Sequence, residues 1–173
     1  TVRMLAHIMK LMGRRVGMTS TDGIVVDGRL IKKGDMSGPK SAQMVLQNPT
    51  VDTAVFEVAR GGILREGLGY DRNDVAVVTN VTGDHLGLGG IHSIKQLAEV
   101  KRVVVEAVPR DGVAVLNADD PLVRFAGGGR LGSWFCNRLG HFLGSNIPAV
   151  VQFLDGRGKF GNALGQLVDF LLC

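Results

Sequence analysis

The sequence predicts an α/β fold, in which a mostly parallel sheet is flanked by helices and followed by an irregular tail rich in glycine and phenylalanine. Compact β-branched runs at residues 52–57, 75–80 and 112–117 are typical of strands that are buried on both faces. An apolar stripe at helical spacing, over residues 93–108, lies between the last two runs. Such alternation implies parallel strands that are joined by right-handed crossovers.

The first element is a predicted helix over residues 2–12, where apolar residues recur at helical spacing and Gly13 is placed to end the helix. The sequence begins at Thr1 with no capping residue before it, and we expect the natural boundary of this helix to lie upstream. A short strand is predicted at residues 16–19. We therefore expect the pattern to start within a larger α/β arrangement.

A hairpin and a second helix follow in the predicted order. Residues 24–31 form two extended arms around Asp27 and Gly28, a pair that tolerates the positive φ of a tight turn. A polar loop then leads to Pro39, which suits the first turn of a helix. This helix is predicted to end near residue 47, before Asn48 and Pro49.

The helix predicted at residues 93–108 begins at Ser93, a favourable N-cap, and carries Lys101 on its apolar stripe. A lysine at such a position has two interpretations. Its long stem can extend along apolar surface so that the charged end reaches water. Alternatively, Lys101 is a functional residue that points into a site, and the residues alone leave both interpretations open.

Composition divides the chain near residue 123. Residues 1–123 hold 15 Lys and Arg against 14 Asp and Glu, whereas residues 124–173 hold 5 against 2, with six of the seven Phe and both Cys. We expect a first unit over 1–123 and an atypical tail over 124–173, which arose by a reading-frame change or a fusion. Within this tail a strand is predicted near residues 147–154, and one helix face is predicted from Leu164, Leu167, Val168 and Leu171.

Charge and hydropathy exclude several classes of function. The net charge of +4 comes mostly from the tail, which has no cluster of Lys or Arg, and this does not favour a nucleic-acid partner. No apolar run approaches the roughly 18 to 20 residues that span a bilayer, and no signal-peptide pattern is present. Two cysteines do not form a disulfide framework. We expect a cytoplasmic protein with no membrane partner.

Polar residues close the first long strand, and ligands of open α/β sheets bind outside the carboxyl ends of strands. Glu57 ends the run 52–57, and the loop that follows carries Gly61 and Gly62, which are expected to let the backbone approach a ligand. The Glu57 carboxylate is suited to Mg²⁺, which prefers oxygen ligands. An ion pair with Arg60 or Arg65 is the structural alternative, and position alone does not separate the two.

The other strand ends carry further candidates. His85 follows the strand at 75–80 and is either a metal or phosphate ligand or an ordinary loop residue. Asn117 closes the strand at 112–117, where its amide can contact a base edge. Asn117, Asp119 and Asp120 are equally consistent with a turn and helix N-cap. Together, the strand ends favour a phosphate-handling enzyme.

The segment 1–123 resembles the ATP-dependent Mur ligase superfamily, and within it the C-terminal ligase module of cyanophycin synthetase. Six motifs in consistent order carry the resemblance, and their combination is far more specific than any one of them. They are TSTDG at 19–23, KGDMSGP at 33–39, EVARGGILR at 57–65, NVTGDHLG at 80–87, VK at 100–101 and LNADDP at 116–121.

The resemblance implies an incomplete Mur ligase central domain that uses ATP and Mg²⁺. Such enzymes activate a carboxylate as an acyl phosphate, which an amine attacks to form an amide, releasing ADP and phosphate. For cyanophycin synthetase the amine is arginine and the carboxylate is an aspartate side chain of a growing polymer. Peptidoglycan Mur ligases and folylpolyglutamate synthetase share the reaction with other acceptors, and a non-catalytic remnant or interaction module is a further alternative.

Residue roles follow from the matched motifs. Glu57 and His85 are expected to hold Mg²⁺. Lys101 matches a lysine that is carbamylated in several relatives. These three residues form the expected catalytic set. Asn117 is expected to contact adenine, with Asp119 and Asp120 shaping that turn. The contacts to the acceptor are assigned less directly by the motifs. The residues expected there are Asn80, Thr19, Thr21, Asp22 and Arg60. Asn80 is also expected among the nucleotide contacts.

The phosphate loop of the superfamily is missing from the 173 residues, since the pattern G-x-x-x-x-G-K-[ST] does not occur in them. Gly158 and Lys159 come nearest, but Phe160 stands where a hydroxyl residue is required. Backbone N–H groups and the lysine of that loop are the main anchors of the phosphates. We therefore expect this chain to be inactive alone. The oligomeric state is a separate question, and the sequence is compatible with an oligomer.

Overall fold

The computed structural model describes residues 1–83, 86–87, 89–117, 119–126, 134–137 and 150–155. The helices of this part of the chain are α1 (Val2–Leu11), α2 (Pro39–Leu46), α3 (Arg60–Glu66), α4 (Ile94–Glu106) and α5 (Pro121–Ala126). Its strands are β1 (Val16–Ser20), β2 (Gly23–Val26), β3 (Arg29–Lys33), β4 (Thr53–Glu57), β5 (Val75–Val78), β6 (Val113–Asn117), β7 (Trp134–Asn137) and β8 (Val150–Asp155).

The eight strands form one sheet in the order β3-β2-β1-β4-β8-β5-β6-β7. β1 pairs with β4, β5 with β6, and β6 with β7 in parallel, whereas β2 and β8 are antiparallel to their neighbours. Six of the strands therefore run in the same direction. The predicted α/β fold is confirmed, and β1, β4, β5 and β6 all end at one side of the sheet, which we call the carboxyl edge.

Local sequence signals explain the helices and the hairpin. The turn between β2 and β3 has positive φ at Asp27 (48°) and Gly28 (82°), as its Asp-Gly pair predicts. Pro39 occupies the first turn of α2. Ser93 caps α4 by accepting a hydrogen bond from the N–H of Gln96, and the Gln96 side chain returns to the Ser93 N–H at 3.1 Å, which completes a capping box.

Side chains of β4, β5 and β6 alternate between two apolar layers. On one face, α1 covers the sheet through contacts among Leu5, Met9, Val55, Val77 and Val115. On the other face, α4 covers β5 and β6 through Leu97, Ala98, Val104, Ala76, Val78 and Leu116, while α2 covers β4 through Ala42, Val45, Ala54 and Phe56. Burial on both faces holds the strands in register, because a shift of one residue would exchange the two layers.

The tail contributes β7 and β8 to the sheet. β8 overlaps the strand predicted at 147–154 and lies between β4 and β5, with Gln152 opposite Phe56 on one side and Ala76 on the other. β7 was not predicted from the sequence. α5 crosses residue 123, and the predicted helix face at 164–171 lies outside the described residues. Within the described ranges, no helix is long and apolar enough to cross a bilayer.

Replacing Gln152 with proline tests the position of β8. Proline removes a backbone N–H from a strand that is paired on both sides, and a buried carbonyl of a neighbouring strand loses its partner. We expect the free energy of unfolding, measured with urea, to fall by about 2 kcal/mol. Gln152→Val, which keeps the N–H, is the matched control. Equal stability of the proline variant and the wild type would contradict the position of β8.

Candidate functional site

Glu57 ends β4 at the carboxyl edge, beside the loop that follows β1. Because β1 and β4 are parallel neighbours, with Thr19 opposite Phe56, the loop after Ser20 arrives next to the carboxylate. The N–H of Thr21 donates a hydrogen bond to Glu57 Oε2 at 3.3 Å. Backbone pairing thus places this carboxylate where the two strands end.

The surroundings of Glu57 disfavour its negative charge. Burial is the largest effect and raises the pKa of the Glu57 carboxyl. The hydrogen bond from Thr21 opposes it, the nearby negative charges of Asp35 and Asp22 raise the pKa further, and the N-terminal ammonium group lowers it least. Among the described residues no ion pair joins Glu57 to Arg60 or Arg65. The site therefore presents a half-buried carboxylate whose charge a cation would stabilise.

The residues after β1 differ in exposure. Thr19 is buried inside β1, with 1% of its surface exposed, whereas Thr21 and Asp22 are exposed. Asp22 forms an exposed ion pair with Arg3 of α1. Thr19 thus belongs to the core of the sheet, and only the exposed Thr21 and Asp22 present side chains at the surface of this loop.

Lys101 of α4 reaches the end of β5. Its Nζ donates a hydrogen bond to the backbone carbonyl of Asn80 at 3.1 Å, and the side chain is half-buried. The charged end therefore lies against a strand end of the sheet, and a functional role of Lys101 stays a prediction. Asn80 and Lys101 are thereby brought together at the carboxyl edge.

The motif after β6 forms a turn and caps α5. Asn117 Oδ1 accepts a hydrogen bond from the N–H of Asp119 at 3.0 Å. Asp120 Oδ1 accepts from the N–H groups of Leu122 at 2.8 Å and Val123 at 3.3 Å. Asp120 Oδ2 accepts from the N–H of Val81 at 2.7 Å. The turn and N-cap interpretation is confirmed, and Asp120 additionally joins the turn to the loop after β5.

The carboxyl edge therefore carries two groups of candidate residues, separated in the sheet by β8. One group lies at the ends of β1 and β4 and the other at the ends of β5 and β6. His85 lies outside the described residues, so its expected role stays a prediction. In the part of the chain that the structure describes, no group of three or more His, Cys, Asp or Glu side chains is arranged to hold a metal ion.

Arg60 begins α3 and lines a cleft of about 470 Å³ between the start of α2 and the start of α3. Sequence reasoning gave no role to this cleft or to Asp35, whose Oδ1 accepts hydrogen bonds from Ser37 Oγ at 2.6 Å and Ser37 N at 3.1 Å. The Asp-x-Ser spacing before Pro39 is the sequence pattern that indicates this hydrogen-bonded turn. The cleft is lined by Asp35, Ser37, Gly38, Pro39, Lys40, Ser41, Ala59, Arg60, Gly61, Gly62, Arg65 and Glu66.

Of the two glycines after Glu57, Gly62 serves packing inside the protein. A Cβ atom on Gly62 would lie 3.1 Å from Pro39 Cδ and 3.2 Å from Gly38 Cα, so this glycine lets α3 approach the start of α2. A Cβ on Gly61 would meet only the guanidinium of Arg65. The expectation that both glycines admit a ligand is therefore replaced, at Gly62, by close contact between two helices.

Comparison with known proteins identifies the family of the chain. The Mur ligase middle domain model matches residues 1–128. The cyanophycin synthetase of Crocosphaera subtropica is 58% identical over 123 residues, which are 71% of this chain and 14% of that protein. The cyanophycin synthetase of Synechocystis sp. is 57% identical over 123 residues, with the same coverage of both chains. The chain thus spans a small part of the length of these relatives.

The fold is also found in a solved structure, that of a UDP-N-acetylmuramoyl-L-alanyl-D-glutamate–2,6-diaminopimelate ligase. The two chains align with a TM-score of 0.59 and 20% sequence identity, over 92% of this chain and 35% of that one. At this identity the likeness concerns the fold alone. The match to the family model covers most of the sequence, and the chain belongs to the Mur ligase middle domain family.

Proposed function

We propose that this chain is the nucleotide- and metal-binding segment of an ATP-dependent amide ligase of the cyanophycin synthetase type, inactive alone. In the complete enzyme, arginine would be joined to aspartate side-chain carboxylates through an acyl phosphate, with release of ADP and phosphate. The identity of 57–58% to cyanophycin synthetases supports this assignment. The structural observation that carries it is the arrangement of Glu57, Asn80 and Asn117 at the ends of three strands of one sheet edge.

Glu57 is the residue best suited to bind Mg²⁺. Magnesium takes oxygen ligands and commonly needs only one or two protein carboxylates, because phosphate oxygens and water supply the rest. The raised pKa of Glu57 indicates a carboxylate whose charge is poorly compensated by the protein. A bound Mg²⁺ would neutralise charge on the transferring phosphate. His85 is proposed as the second ligand on the strength of the motif.

The nucleotide and acceptor contacts are proposed from the motifs, whose residues Thr21, Asp22 and Asp119 are exposed and whose residues Asn117, Arg60 and Asn80 are partly buried. Asn117 and the turn containing Asp119 would face adenine at the end of β6. Arg60 lines the cleft beside Arg65, where guanidinium groups suit a carboxylate or phosphate group of a substrate. Thr21, Asp22 and Asn80 complete the proposed contacts. Buried Thr19 supports the loop after β1, which carries Thr21 and Asp22.

The isolated chain is proposed to be inactive because its 173 residues lack a phosphate loop. They contain no G-x-x-x-x-G-K-[ST] loop, so they supply neither the cradle of N–H groups nor the lysine that anchors β- and γ-phosphates. We also propose that residues 1–123 form the Mur ligase-like unit and that 124–173 is an atypical addition. Because ATP is the energy source, the cytoplasm is the proposed location.

Exchange of the matching segment into a complete relative tests the proposed function. The 123 aligned residues of the Crocosphaera enzyme are replaced by those of this chain, and ADP release is measured with ATP, Mg²⁺, arginine and an aspartate-containing primer. We expect the chimera to turn over and its Glu57→Gln variant to lose about 100-fold or more in kcat, since removing one group that stabilises transition-state charge costs roughly 10²–10³.

The matched control in the chimera is Glu99→Gln, which makes the same change on the exposed side of α4 and should leave ADP release unchanged. An inactive chimera that binds no nucleotide would contradict the proposed function and favour a non-catalytic remnant. Turnover by the 173-residue chain alone would contradict its proposed inactivity.

The raised pKa of Glu57 predicts a pH-dependent effect of Glu57→Gln on stability. Near neutral pH the half-buried carboxylate is charged, and the neutral amide should raise the free energy of unfolding by less than about 1 kcal/mol. On acidification the folded chain takes up the proton before the unfolded chain does, so the advantage of the variant shrinks and is lost below a pH of about 4. Urea unfolding across this range measures the effect.

The effect of Mg²⁺ on the free energy of unfolding is a second measurement on the same variants. Added Mg²⁺ should raise the stability of the wild-type chain more than that of Glu57→Gln, because only the carboxylate gains from a nearby cation. Glu99→Gln is again the control and should follow the wild type at every pH. A stability gain of Glu57→Gln that is constant from neutral to acidic pH would show that the pKa of Glu57 is not raised.

A further inference from the structure

The peptide group between Asn80 and Val81 is held from both sides by charged side chains. Its carbonyl accepts a hydrogen bond from Lys101 Nζ at 3.1 Å, and its N–H donates to Asp120 Oδ2 at 2.7 Å. The carbonyl and the N–H of a trans peptide point in opposite directions from one rigid plane. A cation and a carboxylate therefore fix the orientation of this plane between them.

Both charged side chains are anchored on packed elements. Lys101 belongs to α4, whose capping box and buried residues Ala98 and Val104 fix it against the sheet. Asp120 cannot rotate freely, because its other oxygen caps α5 through the N–H groups of Leu122 and Val123. Val123 is itself fully buried. Rotation of the Asn80–Val81 peptide would thus disturb contacts of two helices.

Charge makes these two hydrogen bonds stronger than ordinary backbone contacts. Hydrogen bonds with one ionised partner are shorter and roughly twice as strong as those between neutral groups. The peptide also lies where β5 ends and the loop begins, with Val81 only 4% exposed and Thr82 and Gly83 exposed. The direction in which the loop leaves the sheet is set at this point.

We propose that Lys101 and Asp120 are positioning residues, which orient the Asn80–Val81 peptide and thereby set the direction in which Thr82 and Gly83 leave the end of β5. In this role Asp120 acts on the protein backbone and does not contact nucleotide. The orientation of the loop is a property of the chain by itself, whereas its consequence for nucleotide binding rests on the proposed function.

Amide hydrogen exchange and the NMR signal of the Val81 N–H test the orientation. In Asp120→Asn we expect exchange at Val81 to accelerate at least about tenfold, because the ionised acceptor is lost, and its proton signal to move upfield. Lys101→Met should accelerate the same exchange, and Lys101→Arg, which keeps a charged donor, should restore it. The two Lys101 variants still test the orientation if the Asp120 variant does not fold.

Matched controls separate local from general effects. Asp111→Asn and Lys95→Met change the same charges at exposed positions of the turn before β6 and of α4, and should leave Val81 unchanged. Unaltered exchange at Val81 in both Asp120→Asn and Lys101→Met would overturn the proposal. Equal acceleration at every slowly exchanging amide would also overturn it, since that pattern indicates general destabilisation.

Calorimetric titration with Mg²⁺ and ATP addresses the consequence for the site. If the wild type binds, we expect Lys101→Met to weaken binding about tenfold or more and Lys101→Arg to restore it; unchanged affinity would overturn the claim that the loop orientation serves the site. Absence of binding by the wild type would count against the proposed function, and Val81 exchange would still decide whether the two residues orient the loop.

Discussion

The common direction of β1, β4, β5 and β6 is the constraint on which the site depends. Strands that run in the same direction end at the same edge, so residues far apart in sequence, such as Glu57 and Asn117, lie on one edge of the sheet without any local signal between them. The direction is in turn maintained by burial of the sheet on both faces, with α1 on one side and α2 and α4 on the other. The apolar layers are therefore the cause of the polar arrangement at the edge.

The carboxyl edge combines a half-buried carboxylate with a firmly held backbone. Glu57 is partly buried near Asp35 and Asp22, an environment that costs stability when the carboxylate is charged. At the ends of β5 and β6, by contrast, Lys101 and Asp120 make hydrogen bonds to backbone groups. One half of the edge is thus arranged to attract a cation, and the other half is arranged to hold its loops in place.

Sequence patterns predicted the elements well because their causes are local. The positive φ at Asp27 and Gly28 and the cap at Ser93 depend on neighbouring residues only. The position of β8 between β4 and β5 could not be predicted, because it depends on pairing between segments about 100 residues apart. The same holds for Asp120: the motif predicted its turn and cap, but its contact with Val81 joins loops that follow different strands.

Binding of a divalent cation at the carboxyl edge near Glu57 can be measured directly. Mn²⁺, a paramagnetic ion that also prefers oxygen ligands, can be titrated into ¹⁵N-labelled protein while the broadening of each amide signal is followed. We expect the amide signals of Thr21, Glu57 and Val58 to broaden first. Asp52, at the opposite end of β4 and paired with Arg15, should broaden only later. Earliest broadening at Asp52, or equal broadening at all exposed carboxylates, would contradict cation binding near Glu57.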